Sequence, residues 1–278
     1  MPRKSAKNRW VPKVKPGMTS EPKVSPKRET RTVTCQDVSA WQLDNKYILS
    51  GYRAENANYR ENFMSLTFFH NETCNVYTHL IGALLLPFVA NGFLEQMAGS
   101  HFVGVLPADY AMFRTYFWCA EVCLILSALY HLLQAHSHRV ELFWHTMDLL
   151  GITIATVGTI ASGIYYVFPC ETNLRILHWA IVFTAGFLAG ALCLTPCLKT
   201  SRWRKVKVAT FVMCGSSSFI PLIHGVLRYG SEHMFLYSGM KWYLLELTVY
   251  GIGVSLYTVC LASSAFISRE EEPDEEFL

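Results

Sequence analysis

The sequence is poor in charge. Only 16% of its 278 residues are Asp, Glu, Lys or Arg, against 51% hydrophobic and 14% aromatic. That is too little charge and too much apolar surface for an ordinary soluble domain of this size. It has no CxxC pair, and its nine cysteines are odd in number and lie mostly inside apolar runs. Small buried hydrophobes explain such cysteines better than a disulfide framework. No secretory signal peptide opens the chain, because its first thirty-odd residues are basic and Pro-rich without an apolar core. The first hydrophobic helix is therefore expected to act as its own targeting signal. No ring of charges or repeated filter marks a pore.

What is present are six apolar runs, each near the roughly 20 residues that cross a bilayer. They fall at about 76–95, 111–133, 146–168, 175–196, 207–228 and 241–265. A soluble helical bundle would show a polar face on each helix. Here 149–167 carries no charge, and 176–198 has only His178. Helices apolar on all sides are read as spans. The expectation is an all-α integral membrane protein with a bundle of six transmembrane helices.

Around this bundle, 1–35 reads as a disordered basic tail and 36–75 as a juxtamembrane segment. A short amphipathic helix is expected near 36–50 of that segment. The bundle itself fills 76–265, and an acidic tail follows at 266–278. The loops set the orientation. Counting from a cytoplasmic N-terminus, the inner side receives the basic tail, Arg139, Lys199, Arg202, Arg204, Lys205 and Lys207. The outer side receives only Arg114, Arg175, Arg228 and Lys241 near helix ends. The bias of cations predicts the N-terminus inside. Plasma membrane and endomembranes both fit this pattern.

The stretch from Ser127 to Gly151 holds the densest chemistry. Ser127 lies four residues before His131, on one helix face, and Asp148 opens the next apolar run. Ionisable side chains at membrane depth are costly and therefore functional candidates. The Ser127 hydroxyl could hold the His131 imidazole in one orientation. His131 and Asp148 are ligand types for a metal such as zinc.

Distributed motifs resemble the progestin and adipoQ receptor family, which includes adiponectin receptors and hemolysin III-like proteins. Asp44-Asn45 with Gly51-Tyr52-Arg53 is similar to its DN…GYR. His70-Asn71-Glu72-Thr73-x-Asn75-x-x-Thr78-His79 resembles its HNETxNxxTH block. Ser127-x-x-x-His131, His136-Ser137, Asp148-x-x-Gly151, Ile220-Pro221-x-x-His224, Trp242 and Tyr250-Gly-Ile-Gly-x-x-x-Tyr257 follow in the family's order. The resemblance covers roughly 40–258. It implies seven helices and a cytoplasmic zinc site held by His131 and two histidines of a seventh helix. It further implies that Asp148 holds the zinc-bound water and that Ser127 supports the site. Lining of a lipid cavity is a further candidate role for His224 and Tyr250. The activity implied is hydrolysis of lipid amides such as ceramide. After Tyr257 this sequence runs through Cys260 to Arg269 and an acidic stretch, without the family's His-x-x-x-His. The expectation is therefore weak or partial zinc binding.

Other polar residues receive blander readings. His136, His138 and His145 are read as loop or interfacial side chains, and His178 with Trp179 as an interfacial anchor. His224 is expected to bond backbone freed by a kink at Pro221. His70 and His79 are read as caps at the entry to the first span. Cys119, Cys123, Ser127 and His131 form one i+4 ridge, whose small residues permit close helix packing. Glu121 and Glu246 must face the bundle interior or carry a proton.

Three functions compete. The first is a receptor-like membrane protein linking an extracellular protein or steroid ligand, or a lipid signal, to zinc-dependent lipid amide hydrolysis. The second is a non-catalytic six-helix regulator or truncated isoform that pairs with full-length relatives or with itself. The third, weaker, is a hemolysin III-like pore. Membrane lipids, including a ceramide-like substrate, are the expected partners, and nucleic acid is not.

Overall fold

Helices account for nearly all of the regular structure, and hydropathy explains why. The computed structural model describes residues 31–43, 45, 47–99, 102–195 and 204–270. The basic tail expected at 1–35 and the acidic tail at 266–278 fall largely outside these residues.

The juxtamembrane segment differs from the expectation. In place of a helix near 36–50 it has a single 3-10 turn at Ala40–Gln42, flanked by β1 (Val33–Thr34) and β2 (Ser50–Tyr52), which pair antiparallel. The short helix of this segment is instead α1, Tyr59–Met64. Asn58 caps it by accepting from the Arg60 N–H at 3.0 Å. A side chain at Gly51 would be strained, because its φ is +88°. That backbone turn lets the Gly51 carbonyl accept from the Asn71 N–H at 2.8 Å, tying the segment to the start of the first span.

Long helices follow: α2 (Thr73–Ala98), α3 (Pro107–Leu133), α4 (His138–Val167) and α5 (Thr172–Leu194). Pro107 opens α3, where its missing N–H costs nothing, and Asp109 accepts from the Leu106 N–H at 2.7 Å. The fifth expected span is divided into α6 (Arg204–Ser216) and α7 (Phe219–Tyr229). Ser217 and Ser218 turn their hydroxyls back onto the carbonyls of Cys214 and Gly215, at 2.6 and 2.7 Å, and compete with the helical ladder. Pro221 then falls in the first turn of α7 and frees no carbonyl inside a helix. Helix α8 (Ser231–Tyr237) and α9 (Met240–Glu270) complete the chain's helices among the described residues.

Five helical stretches are long and apolar enough to cross a membrane: α2, α3, α4, α5 and Ala209–Tyr229. Leu84, Phe88, Phe187 and Leu227 stand outward, all more than 60% exposed. Such side chains need an apolar solvent, and lipid supplies it. The protein is a multi-pass, predominantly helical membrane protein.

Small residues allow α3 and α4 to approach closely. A Cβ on Gly158 would lie 2.5 Å from Cys119 Sγ, and one on Gly151 would lie 3.1 Å from the Cys123 backbone. Thus the Cys119–Cys123 ridge of α3 packs into a groove on α4 that only glycine leaves open. Two apolar clusters anchor the ends of the bundle. Ile160, Ile164, Val167, Phe168, Val182, Leu222, Met234 and Met240 form one. Val76, Leu132 and Leu133, with Leu66 and Trp144 against them, form the other.

Candidate functional site

The smaller cluster fixes where the start of α2 meets the end of α3, and a polar site is built there. His131, on the last turns of α3, lies with its Nδ1 2.9 Å from Glu72 Oε2, just before α2. Burial alone would raise the Glu72 carboxyl. Hydrogen bonds from His131 and Asn75, and the charge of Arg53, hold it below the usual carboxylate range. An ionised carboxylate only accepts, so the proton lies on His131 Nδ1 and Nε2 is left free. Glu72 is itself held: Asn75 Nδ2 donates to Oε2 at 2.7 Å and Asn71 Nδ2 to Oε1 at 3.1 Å.

Arg53, 5% exposed, closes the back of the site. Its guanidinium donates to the carbonyls of His131 (2.6 Å) and Leu132 (2.7 Å) and to Ser65 Oγ (3.0 Å). These carbonyls have no intrahelical partner, so Arg53 acts as a side-chain cap for α3. Desolvation brings its pKa down to about 10, which still leaves it charged at neutral pH. His70 is pulled down to about 4, first by desolvation and then by the Arg53 charge. Its neutral Nδ1 accepts from the Glu72 backbone N–H at 3.1 Å, while the His70 backbone N–H donates to Thr73 Oγ1 at 2.8 Å.

The remaining expected residues divide between two ends of the bundle. Ser127 is buried one turn below His131, but its hydroxyl makes no hydrogen bond to the imidazole among the described residues. The group that orients His131 is Glu72, from another helix. Asp148, on α4, lies near enough to His79 and Cys123 to act on both electrostatically. His79, read as a cap, instead stands edge-on to His131 with ring centroids 6.1 Å apart, and its Nδ1 is buried without a hydrogen-bond partner among the described residues. His136 packs on Tyr59 and His138 on Trp41, away from His131. His145 packs against the Tyr130 ring, with centroids 5.3 Å apart.

His224 belongs to the opposite end. It pairs with His178 and touches Phe168, at the far end of α4, a helix about 45 Å long. The expected bond to backbone freed by Pro221 does not form. Tyr250, on α9, is half-exposed and has Glu246, Cys123 and Tyr116 as electrostatic neighbours.

Glu72, Arg53 and His79 are the side chains around His131 that spacing alone did not single out. A signal was there: Glu72, Asn75 and His79 recur at i, i+3 and i+7, one face of a helix. Arg53 stood in the Gly51-Tyr52-Arg53 motif, but its reach to the end of α3 comes only through the fold.

Residues 67–266, most of the chain, match the haemolysin-III related family. The chain is 32% identical over 227 residues to the ADIPOR-like receptor IZH2 of Saccharomyces cerevisiae, covering 82% of this chain and 71% of the yeast protein. It is 32% identical over 217 residues to the progestin and adipoQ receptor-like protein 1 of Caenorhabditis elegans, covering 78% and 49%. Over 224 residues it is 26% identical to the adiponectin receptor protein of Drosophila melanogaster, covering 81% and 50%. The chain thus spans about half the length of the worm and fly relatives. It belongs to the haemolysin-III related family and, within it, to the ADIPOR-like, progestin and adipoQ receptor proteins.

Proposed function

We propose that this chain is a receptor-like membrane protein linked to lipid signalling, whose His131 site does not by itself complete a zinc-dependent amide hydrolase centre. The reading rests on the Glu72–His131 hydrogen bond. A carboxylate on Nδ1 is the arrangement that prepares Nε2 of a histidine to act as a ligand. With α9 counted as a sixth span and the N-terminus inside, this site lies at the cytoplasmic face.

Zinc is the cofactor the family resemblance implies. It requires three protein ligands in a catalytic site and four in a closed one. Among the described residues no group of three or more His, Cys, Asp and Glu side chains is placed to hold a metal ion. His131 and Asp148 are two donors, and two do not fit the requirement. A further ligand would have to come from outside the described residues or from a partner chain. The reading therefore takes zinc binding to be weak and ceramide-class hydrolysis by the 278-residue chain to be negligible. If a metal is completed from elsewhere, Asp148 is the residue available to hold its water and Ser127 the one that lines the α3 wall.

The test is ceramide hydrolysis by the chain in nanodiscs, with and without added zinc. The expected result is background turnover, raised when a family-type seventh helix carrying His-x-x-x-His is grafted after Tyr257. Robust zinc-dependent turnover by the ungrafted chain would overturn the reading.

A further inference from the structure

A second polar site lies at the other end of the bundle, where α7 meets the turn between α4 and α5. An open cleft of about 590 Å³ is lined there by Cys170, Glu171, Thr172, Asn173, His224 and Arg228. Behind it, His178 Nε2 and His224 Nδ1 are 3.0 Å apart. Phe168, fully buried, stacks flat on His178 at 4.9 Å and seals the pair from the apolar core.

Two imidazoles at this distance share one proton, and the shared proton fixes what the cleft sees. If His224 Nδ1 carried it, His178 Nε2 would accept and the one proton of neutral His178 would have to sit on Nδ1. That atom is buried, in a residue only 2% exposed, and has no hydrogen-bond partner among the described residues. An orphaned buried N–H is among the rarest features of folded proteins, whereas a bare acceptor is better tolerated. The proton therefore sits on His178 Nε2, and His224, accepting at Nδ1, carries its own proton on Nε2. His224 thus offers the cleft an N–H and no lone pair. It suits an acceptor and not a metal cation.

The neighbouring groups agree in sign. Glu171 is the one carboxylate among the lining residues, and it is engaged by the Tyr229 hydroxyl and by Arg228 Nε at 3.6 Å. Among the described residues the Arg228 ion pair is made through Nε, and neither amino group of the guanidinium has a hydrogen bond, so both can serve another acceptor. Paired amino groups of this kind match an oxyanion. We propose that this cleft is a binding site for an oxyanion, a carboxylate or phosphate, with Arg228 and His224 as its recognition groups. The oxyanion belongs either to a free small molecule or to a lipid headgroup at the membrane surface. The site does not involve His131 or zinc, so it stands or falls separately from the hydrolase reading.

The test uses the full chain in phosphatidylcholine nanodiscs at constant ionic strength, with chloride as reference. Thermal unfolding is followed against inorganic phosphate and acetate, and separately in nanodiscs containing phosphatidic acid. Saturable stabilisation by the soluble anions identifies a free ligand. Stabilisation only with phosphatidic acid identifies a headgroup, and either result supports the site. Arg228→Gln should weaken half-saturation about tenfold or more, the loss of one charge-assisted contact. Absence of saturable stabilisation in both arms, or an unchanged response in Arg228→Gln, overturns it. If that variant fails to fold, 15N spectra of histidine-labelled wild-type chain decide the same point. His224 should be protonated at Nε2, and a bare Nε2 overturns the proposal.

Discussion

Glu72 and His131 lie 59 residues apart in the chain, yet the carboxylate of one accepts from Nδ1 of the other at 2.9 Å. The bond joins the first span to the second at one end of the bundle and fixes which imidazole nitrogen is free. Neither side chain exposes as much as a fifth of its surface, so the bond is little screened by water.

Removing that acceptor leaves a buried N–H unpaired. Glu72→Ala should destabilise the protein by about 1–3 kcal/mol. Each kcal/mol lowers the melting midpoint by about 2–4 °C for a domain of this size. Glu72→Gln keeps a carbonyl acceptor and should lose less. Thermal unfolding of the two variants in the same detergent checks the order, and equal losses would mean that the bond contributes little.

The same region carries a pH dependence of definite sign. His70 is held neutral when folded, with its pKa down at about 4 from an ordinary 6.5. A depressed value contributes stability that is complete above 6.5 and is lost as the pH falls toward 4. Glu72, also depressed, loses its contribution in the same direction at lower pH. Unfolding should therefore become easier between pH 6.5 and 4. His70→Asn should flatten that slope, measured as the midpoint at pH 7 minus the midpoint at pH 5. An unchanged slope would place the titrating group elsewhere.

Much of this was legible in the sequence, because lipid imposes a simple rule on every helix it surrounds. The first four expected spans all appear as helices, with ends that differ by up to eight residues. The largest shift is at α4, which begins at His138 and not near 146. Hydropathy marks where a helix enters the apolar layer, and the mixed stretch 138–145, with His138, Arg139, Glu141 and His145, extends it beyond. The break at Ser217–Ser218 was not legible, because those hydroxyls read as polar positions in a span until their bonds to Cys214 and Gly215 are seen. Ser127 was assigned the task that Glu72 performs. Spacing reveals neighbours on one helix, but the partner of His131 comes from another.

The α3–α4 contact is open to a packing test. Gly158→Ala would drive a methyl group against Cys119 Sγ and Cβ, at 2.5 and 2.6 Å. Overpacking of this kind costs about 1–3 kcal/mol. Cys119→Gly in the same chain should restore part of the loss. Failure of the double variant to recover any stability would show that the two helices are not in contact at this level.

Orientation can be tested at Asn71-Glu72-Thr73, an N-glycosylation sequon beside the His131 site. With the N-terminus inside, Asn71 faces the cytoplasm and stays unmodified. The chain expressed in mammalian cells should show no mobility shift on endoglycosidase treatment, and an N-terminal tag should be inaccessible to antibody on intact cells. A shift, or a labelled tag, would reverse the topology.

The most direct measurement is zinc per molecule of the purified 278-residue chain, wild type and His131→Ala, by mass spectrometry after dialysis. Two protein donors hold zinc weakly. The expected content is well below one ion per chain, and what remains should fall further in His131→Ala. One tightly held zinc per chain would contradict an incomplete site, and one that survives His131→Ala would show that His131 is not its ligand.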